Sequence, residues 1–214
     1  MDFINQAIQD YCDRNTTAEA DALQKINRYT YANVIQPRML SGHFQGRFLS
    51  MISQMIKPKY VLEIGTYTGY SAICLAEGLQ ADGKLITIDV NAELEELVNN
   101  HISQANLNNK IKHIIGDASE IINTLDFQFD LVFIDADKPN YPKYYELMIN
   151  KIQSGSFILI DNVLWSGKVL HQKDLDKDKD TQILHSLNEA IQKDDRVENI
   201  LLPVRDGLML VRKL

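Results

Sequence analysis

The feature that most constrains the fold of this chain is a regular alternation of short apolar runs with segments whose apolar residues have helical spacing. The apolar runs are bounded by turn residues and are short, as strands are. The predicted strands are residues 59–64, 84–88, 111–115, 129–134, 157–160, 197–202 and 208–211. Regular strand-then-helix alternation with nearly all-apolar strands predicts an α/β fold, with a parallel sheet that is covered by helices on both faces.

The last two predicted strands require a different arrangement. They are joined only by residues 203–207, and a link of that length is too short for a parallel crossover. We therefore expect them to pair as an antiparallel hairpin at the end of a mostly parallel sheet.

The helical segments predict one domain over residues 1–214, with N-terminal helices in 1–57 and the strand-containing core in 58–214. Residues 173–180 alternate lysine and aspartate, which predicts a solvated loop, with a lid over the substrate as the alternative. Thr17 is a candidate cap for the second helix. The predicted helices are residues 2–13, 21–29, 43–56, 71–79, 92–105, 118–124, 141–152 and 181–192.

Composition excludes several classes of protein. No apolar run approaches the roughly 20 residues that cross a bilayer, and the first residues lack the basic start and apolar stretch of a secretory signal, so we expect a cytoplasmic protein. The two cysteines, Cys12 and Cys74, do not form a disulfide framework. The net charge of −7 argues against a broad nucleic-acid-binding face, although a local basic patch stays open.

The turn after the first predicted strand indicates a cofactor site. Its glycines, Gly65 and Gly69, allow a ligand to approach the backbone, but the third glycine of the dinucleotide fingerprint is missing. Glu63 lies at the strand end, where it would repel a pyrophosphate and attract a cationic cofactor. S-adenosylmethionine carries a sulfonium and an amino group and no phosphate, so it fits this turn better than a dinucleotide does.

Two more strand ends carry residues suited to a nucleoside. Asp89 ends the second predicted strand, where an acid in such folds binds ribose hydroxyls. Residues 116–118 (Gly-Asp-Ala) end the third and are placed to border an adenine. The alternative for Asp89 is a cap for the helix that follows it. The coincidence of these features on successive strands favours the cofactor interpretation.

The fourth and fifth predicted strands end in acids. Asp135 and Asp161 lie at equivalent carboxyl ends, and neighbouring strands are about 5 Å apart. Carboxylates that close repel unless a cation lies between them. Asn162 adds a neutral oxygen, and an all-oxygen set favours Mg²⁺ or Ca²⁺. The alternative is that these three residues only cap the loops that follow them.

Lys138 follows the fourth strand and suggests a proton acceptor. A phenolic hydroxyl with a pKa near 10 is a poor nucleophile at neutral pH. A metal ion lowers the pKa of an oxygen that it coordinates, and a lysine beside the metal could then take the proton. The oxyanion would attack the sulfonium methyl in line. A solvated lysine on a turn is the alternative.

These residues resemble the cation-dependent O-methyltransferase family that includes the catechol and caffeoyl-coenzyme A O-methyltransferases. The resemblance runs over residues 39–214 and is carried by VLEIGTYTGYS, ITIDVN, IDADKPNY, IDNVLWSG and LPVRDGL. It implies a Rossmann-like, seven-stranded methyltransferase sheet and a homodimer. It also implies metal ligands at Asp135, Asp161 and Asn162 and catalytic roles for Lys138 and Asp135. The implied cofactor contacts are Met39, Ser41, Glu63, Gly65, Tyr67, Ser71, Asp89, Ala118, Asp135 and Asp137.

The chain departs from the animal catechol enzymes at two places. Ala136 and Asp137 stand where those enzymes have a His-Trp pair, as in the caffeoyl-coenzyme A and bacterial branch, and Met209 replaces a glutamate near the substrate hydroxyls. Residues 165–180 offer no concentrated basic patch for a coenzyme A phosphate. A small hydroxylated aromatic substrate is therefore the first expectation.

Three alternatives remain open at this point. The first is methylation of a hydroxylated uridine in tRNA, for which the candidate basic residues are Arg28, Arg38, Arg47 and Lys168. The second is a non-catalytic protein that binds the cofactor. The third is a nicotinamide-dependent oxidoreductase, which the missing third glycine and Glu63 disfavour.

Overall fold

The computed structural model describes residues 5–214 and contains one seven-stranded sheet in the order β3-β2-β1-β4-β5-β7-β6. Strand β7 is antiparallel to both of its neighbours, and the other pairs are parallel. The predicted α/β fold with an antiparallel hairpin at its end is confirmed. The strands are β1 (Tyr60–Ile64), β2 (Lys84–Asp89), β3 (Ile111–Ile115), β4 (Leu131–Ile134), β5 (Phe157–Asp161), β6 (Val197–Leu202) and β7 (Leu208–Lys213).

Helices cover both faces of the sheet. Strands β3 and β6 and the helix over residues 118–124 have the bounds predicted from the sequence. The start of the first predicted helix, residues 2–4, lies outside the described residues. Residues 92–94 form a 3-10 turn before α5, so the helix predicted over 92–105 begins later. The helices are α1 (Gln6–Arg14), α2 (Asp21–Asn33), α3 (Gly42–Ile56), α4 (Tyr70–Ala76), α5 (Glu95–Gln104), α6 (Ala118–Thr124), α7 (Tyr141–Lys151), α8 (Gln172–Leu175) and α9 (Lys179–Gln192).

The prediction that Thr17 caps the second helix is wrong. Helix α2 begins after Ala20, which makes no side-chain cap, and Asp21 supplies a negative charge in its first turn. The Thr17 carbonyl oxygen instead lies 2.8 Å from Nε2 of His43. A tertiary contact therefore holds the segment that the sequence assigned to a local cap.

Residues 173–180 are not one continuous solvated loop, which corrects the prediction. They contain most of α8 and the start of α9. Asp178 caps the N-terminus of α9, because its carboxylate accepts from the backbone N–H of Asp180 at 3.1 Å. The same carboxylate forms an ion pair with Lys168 at 2.7 Å. A local aspartate cap therefore orders a segment whose charge pattern suggested a loop.

Burial explains why the central strands are apolar. All four residues of β4 are fully buried, since helices cover this strand from both sides. Side chains alternate between the faces, so Leu62 of β1 joins one core cluster while its neighbour Val61 joins the other. The two hydrophobic layers lie on opposite faces of the sheet, and the polar residues that line the cavity lie at the carboxyl ends of the strands.

The described residues were also searched for membrane-spanning helices, disulfide bonds and clusters of metal-binding side chains. Within residues 5–214 no helix is both long enough and apolar enough to cross a membrane. Cys12 and Cys74 are both free thiols. Over the same residues, no three His, Cys, Asp or Glu side chains are grouped in a way that could hold a metal.

Gly78 allows α3 and α4 to approach each other, which gives a first testable prediction. A Cβ atom at Gly78 would lie 2.1 Å from the backbone carbon of Ser53. Gly78→Ala should therefore lower the free energy of unfolding by about 3 kcal/mol or more, as measured by urea denaturation. Gly155→Ala is the control, because its Cβ meets nothing within 4 Å and only its φ of +87° is unfavourable, at about 1 kcal/mol. Equal losses for the two variants would contradict the packing argument.

Candidate active site

A cavity of about 1010 Å³ opens at the carboxyl ends of β1, β2, β4 and β5. This is where parallel α/β sheets bind ligands, beside the point at which the strand order reverses between β1 and β4. The cavity brings together every predicted site residue except Glu63. The residues that line it include Met39, Ser41, Gly65, Tyr67, Ser71, Asp89, Ala118, Asp135, Asp137, Lys138, Asp161 and Asn162.

The turn after β1 is held by Asp89. One carboxylate oxygen of Asp89 accepts from the backbone N–H groups of Thr66 at 2.9 Å and Tyr67 at 2.8 Å. The predicted alternative, that Asp89 caps the following helix, is wrong, because Asn91 caps the 3-10 turn through the N–H of Glu93. Gly65 has a φ of +95°, and a Cβ there would lie 1.9 Å from the carbonyl oxygen of Asp135. Only glycine fits at this position, where the backbone after β1 lies against the backbone after β4.

Glu63 lies behind this turn and does not line the cavity. Its side chain is fully buried, and one oxygen accepts from the Thr87 hydroxyl at 2.6 Å while the other has no partner. Burial raises the pKa of Glu63 to about 8, and the charges of Asp135 and Asp89 act in the same direction. A direct contact between Glu63 and a cofactor stays a prediction.

Asp135 and Asp161 lie at the same level of the sheet. The residues that precede them, Ile134 and Ile160, are partners in the parallel register of β4 and β5. Asp161 is only 3% exposed, so burial and then the charge of Asp135 raise its pKa above the usual range for an aspartate. Asn162 follows it with a left-handed φ of 63°. Such a pair is stable in ionised form only when positive charge is supplied nearby.

The ammonium group of Lys138 supplies part of that charge. Its Nζ lies 2.7 Å from Oδ1 of Asn162 and 3.4 Å from Oδ1 of Asp135, and it also donates to the Ala136 carbonyl at 3.1 Å. The side chain is buried, so the alternative of a solvated lysine is wrong. Two of the three oxygen groups predicted to bind a metal therefore already surround a cation. This donor set fits a hard metal ion, which prefers oxygen ligands.

Three residues beside these acids were not found from the sequence. Gln45 of α3 donates to Asp161 at 2.7 Å, and Arg205 donates to the Gln45 side-chain oxygen at 2.8 Å. Trp165 lines the cavity, and its indole N–H is buried without a partner. No local pattern marks Gln45, because its partners come from distant parts of the chain. Arg205 and Trp165 lie in the motifs LPVRDGL and IDNVLWSG, which could have indicated them.

Residues 13–214 match the family model described as O-methyltransferase. Caffeoyl-CoA O-methyltransferase 1 of Zea mays is 37% identical over 186 residues, which is 82% of this chain and 72% of that protein. The Eucalyptus globulus caffeoyl-CoA O-methyltransferase 1 is 36% identical over 185 residues, which is 82% of this chain and 75% of that protein.

A solved structure agrees with these sequence matches. The O-methyltransferase from Bacillus cereus, solved in complex with SAH, has a TM-score of 0.87 and 29% sequence identity. The alignment covers 97% of this chain and 97% of that chain. The fold, the position of the cavity and the family match therefore lead to one identification. The chain belongs to the O-methyltransferase family, and it is an S-adenosylmethionine-dependent O-methyltransferase.

Proposed function

We propose that this enzyme transfers the methyl group of S-adenosylmethionine to a hydroxyl of a small catechol- or phenol-type acceptor, and that a divalent cation, Mg²⁺ or Ca²⁺, presents that hydroxyl. The observation that carries the proposal is that the Asp135 carboxylate and the Asn162 amide oxygen converge on the Lys138 ammonium, at the wall of a large cavity that Asp161 also lines. The plant relatives named above are caffeoyl-CoA O-methyltransferases, which supports a phenolic acceptor.

The cofactor would occupy the part of the cavity over β1 and β2. A volume of about 1010 Å³ is at the upper end of the usual range of roughly 300–1,000 Å³ for ligand sites. It can therefore hold a nucleoside cofactor and leave room for an aromatic ring. In the proposed arrangement the backbone turn held by Asp89 faces the nucleoside, and Asp137, fixed by the Tyr144 hydroxyl at 2.9 Å, faces its charged end.

Asp135, Asp161 and Asn162 would hold the cation, because they supply hard oxygen ligands at one end of the sheet. When bound, the cation lowers the pKa of a hydroxyl that it coordinates. Lys138 would have to release one ammonium proton to solvent, leave Asn162 and turn toward the acceptor, where its neutral amine could take the hydroxyl proton. Trp165 offers an apolar wall on which the acceptor ring would pack.

The tRNA alternative has less support from the charges near the cavity. Of the four basic residues that it would use, Arg47 pairs with Glu77 at 2.6 Å and Lys168 pairs with Asp178 at 2.7 Å. Paired cations contribute less to phosphate binding, because an acid on the protein competes for them. Arg28 and Arg38 are both exposed, and two such arginines make a small patch. A small acceptor is the better fit.

Removal of the metal tests the cation. EDTA should silence methyl transfer from labelled S-adenosylmethionine to a catechol panel, and Mg²⁺ should restore it. Asp161→Ala should lower kcat by at least about 100-fold while the Kd for SAH changes little, because only the cation loses a ligand. Asp126→Ala, an exposed aspartate, is the control and should match wild type. Full activity in chelator would remove the metal from the mechanism, and methylation of unmodified bulk tRNA instead of catechols would favour the alternative substrate.

Two substitutions separate a proton acceptor from a fixed positive charge at Lys138. Lys138→Met and Lys138→Arg should both lower kcat by about 100-fold and leave the acceptor KM nearly unchanged, because arginine keeps its charge and cannot accept the proton. The pH-rate profile of each variant should also differ in shape from that of wild type. The control is Lys173→Met, at an exposed position. Retention of activity by Lys138→Arg would show that the charge alone is needed.

The family resemblance also leads us to expect a homodimer. Helix α3 exposes two large apolar side chains, Met51 at 64% and Met55 at 76%, and exposed apolar groups of this size are candidates for a subunit contact. Light scattering coupled to gel filtration should give twice the 24.4 kDa mass of the chain. A mass of one chain at micromolar concentration would contradict this expectation.

A further inference from the structure

Two consecutive hydrogen bonds connect the β6–β7 turn to Asp161. Arg205, in the turn after β6, donates from one guanidinium nitrogen to the side-chain oxygen of Gln45 at 2.8 Å, and the Gln45 amide nitrogen donates to Asp161 Oδ2 at 2.7 Å. Gln45 is 1% exposed, so water cannot replace either bond at low cost. The other oxygen of Asp161 accepts from the backbone N–H of Asn162 at 2.8 Å.

The donor-to-acceptor direction of these two hydrogen bonds is determined by the groups at the two ends, Arg205 and Asp161. A guanidinium group has donors only, so it can bind only the oxygen of the Gln45 amide. A carboxylate that ligates a metal ion has acceptors only, so it needs the amide nitrogen. Arg205 therefore holds the amide in the orientation that presents N–H to Asp161. Without Arg205 the amide could rotate, and a rotated amide would place its oxygen against the carboxylate.

From this geometry we infer that Gln45 and Arg205 are positioning residues for the divalent cation: they hold the Asp161 carboxylate in the orientation in which it binds the metal. The inference rests on the proposed function. Donors beside a ligating carboxylate fix its rotamer and leave its remaining lone pairs to the metal, and their loss commonly weakens metal binding by about 10- to 100-fold. Gln45 does not line the cavity, and both residues act on the cation through Asp161, so they are positioning residues.

The same arginine nitrogen extends the chain toward the cofactor side of the cavity. It donates to the carbonyl oxygen of Leu40 at 3.1 Å and also to that of Ser41. Both residues line the cavity. One guanidinium group therefore fixes the backbone beside the cofactor and, through Gln45, the carboxylate of the cation site. A variant at Arg205 should consequently affect both, whereas a variant at Gln45 should affect the cation alone.

The experiment measures Mn²⁺ binding directly, by electron paramagnetic resonance and titration calorimetry, in the presence of SAH. Gln45→Met should raise the Mn²⁺ Kd by about 10-fold or more, while the Kd for SAH in EDTA stays within about twofold of wild type. Gln54→Met is the matched control: it makes the same substitution on α3, and Gln54 is exposed and donates only to Ser50 at 2.9 Å. It should bind Mn²⁺ as wild type does.

Arg205→Met provides a second and independent measurement, because Arg205 is exposed and its loss should be tolerated by the fold. It should weaken Mn²⁺ binding in the same direction. The double variant with Gln45→Met should be no weaker than Gln45→Met alone, since both changes break one chain. Fully additive losses of Mn²⁺ affinity would contradict the inference that Arg205 acts through Gln45. Mn²⁺ affinities within about twofold of wild type in both single variants would contradict it as well.

The outcomes separate this inference from the proposed function. If the wild-type protein binds Mn²⁺ and Asp161→Ala does not, the cation site stands, and the variants at Gln45 and Arg205 test the positioning alone. If the wild-type protein binds no Mn²⁺, the proposed cation use is wrong and the inference falls with it. If Gln45→Met does not fold, Arg205→Met decides the question by the same affinity limit.

Discussion

Electrostatic repulsion between Asp135 and Asp161 is the constraint around which the rest of the site is arranged. The parallel register of β4 and β5 places both acids at one level, and the burial of Asp161 limits the water that could screen the two charges. Three donors answer this repulsion, namely Lys138 on one side and Gln45, backed by Arg205, on the other. The two acids therefore have separate hydrogen-bond partners, an arrangement that is consistent with the divalent cation proposed above.

The backbone around these acids is held in unfavourable conformations. Asn162, Trp165 and Arg205 all have a left-handed φ, which costs of the order of 1 kcal/mol or more for a residue other than glycine. The segment after β5 is tied to the β6–β7 turn, because the N–H of Val163 donates to the carbonyl of Gly207 at 3.1 Å. Residues in such conformations persist only where surrounding contacts fix them. Here those contacts hold the side chains that face the cavity, so the rigidity of this rim and the geometry of the site have the same origin.

Local patterns predicted the strands and the acids at their ends, because alternation of apolar runs and turn residues is a property of neighbouring residues. The prediction of a cap at Thr17 failed because a tertiary contact with His43 holds that residue. The prediction of a loop over residues 173–180 failed because Asp178 caps a helix there. Gln45 could not be predicted, because a buried glutamine on a helix has no signal of its own. Its role depends on Arg205, far away in the chain, and only the folded sheet brings the two together.

The N-terminal helices add no strand to the sheet, yet the cavity depends on them. Between α2 and α3 the chain crosses the cavity, and it is anchored at both ends of this crossing. The Tyr67 hydroxyl donates to the carbonyl of Ile35 at 3.0 Å, and Arg205 donates to that of Leu40 at 3.1 Å. If the segment were not anchored, ordering it over a ligand would cost about 1–2 kcal/mol per residue in conformational entropy of the backbone. Because these anchors come from the turn after β1 and from the hairpin beside the proposed cation site, the crossing segment is already ordered where methyl transfer requires a site that excludes water.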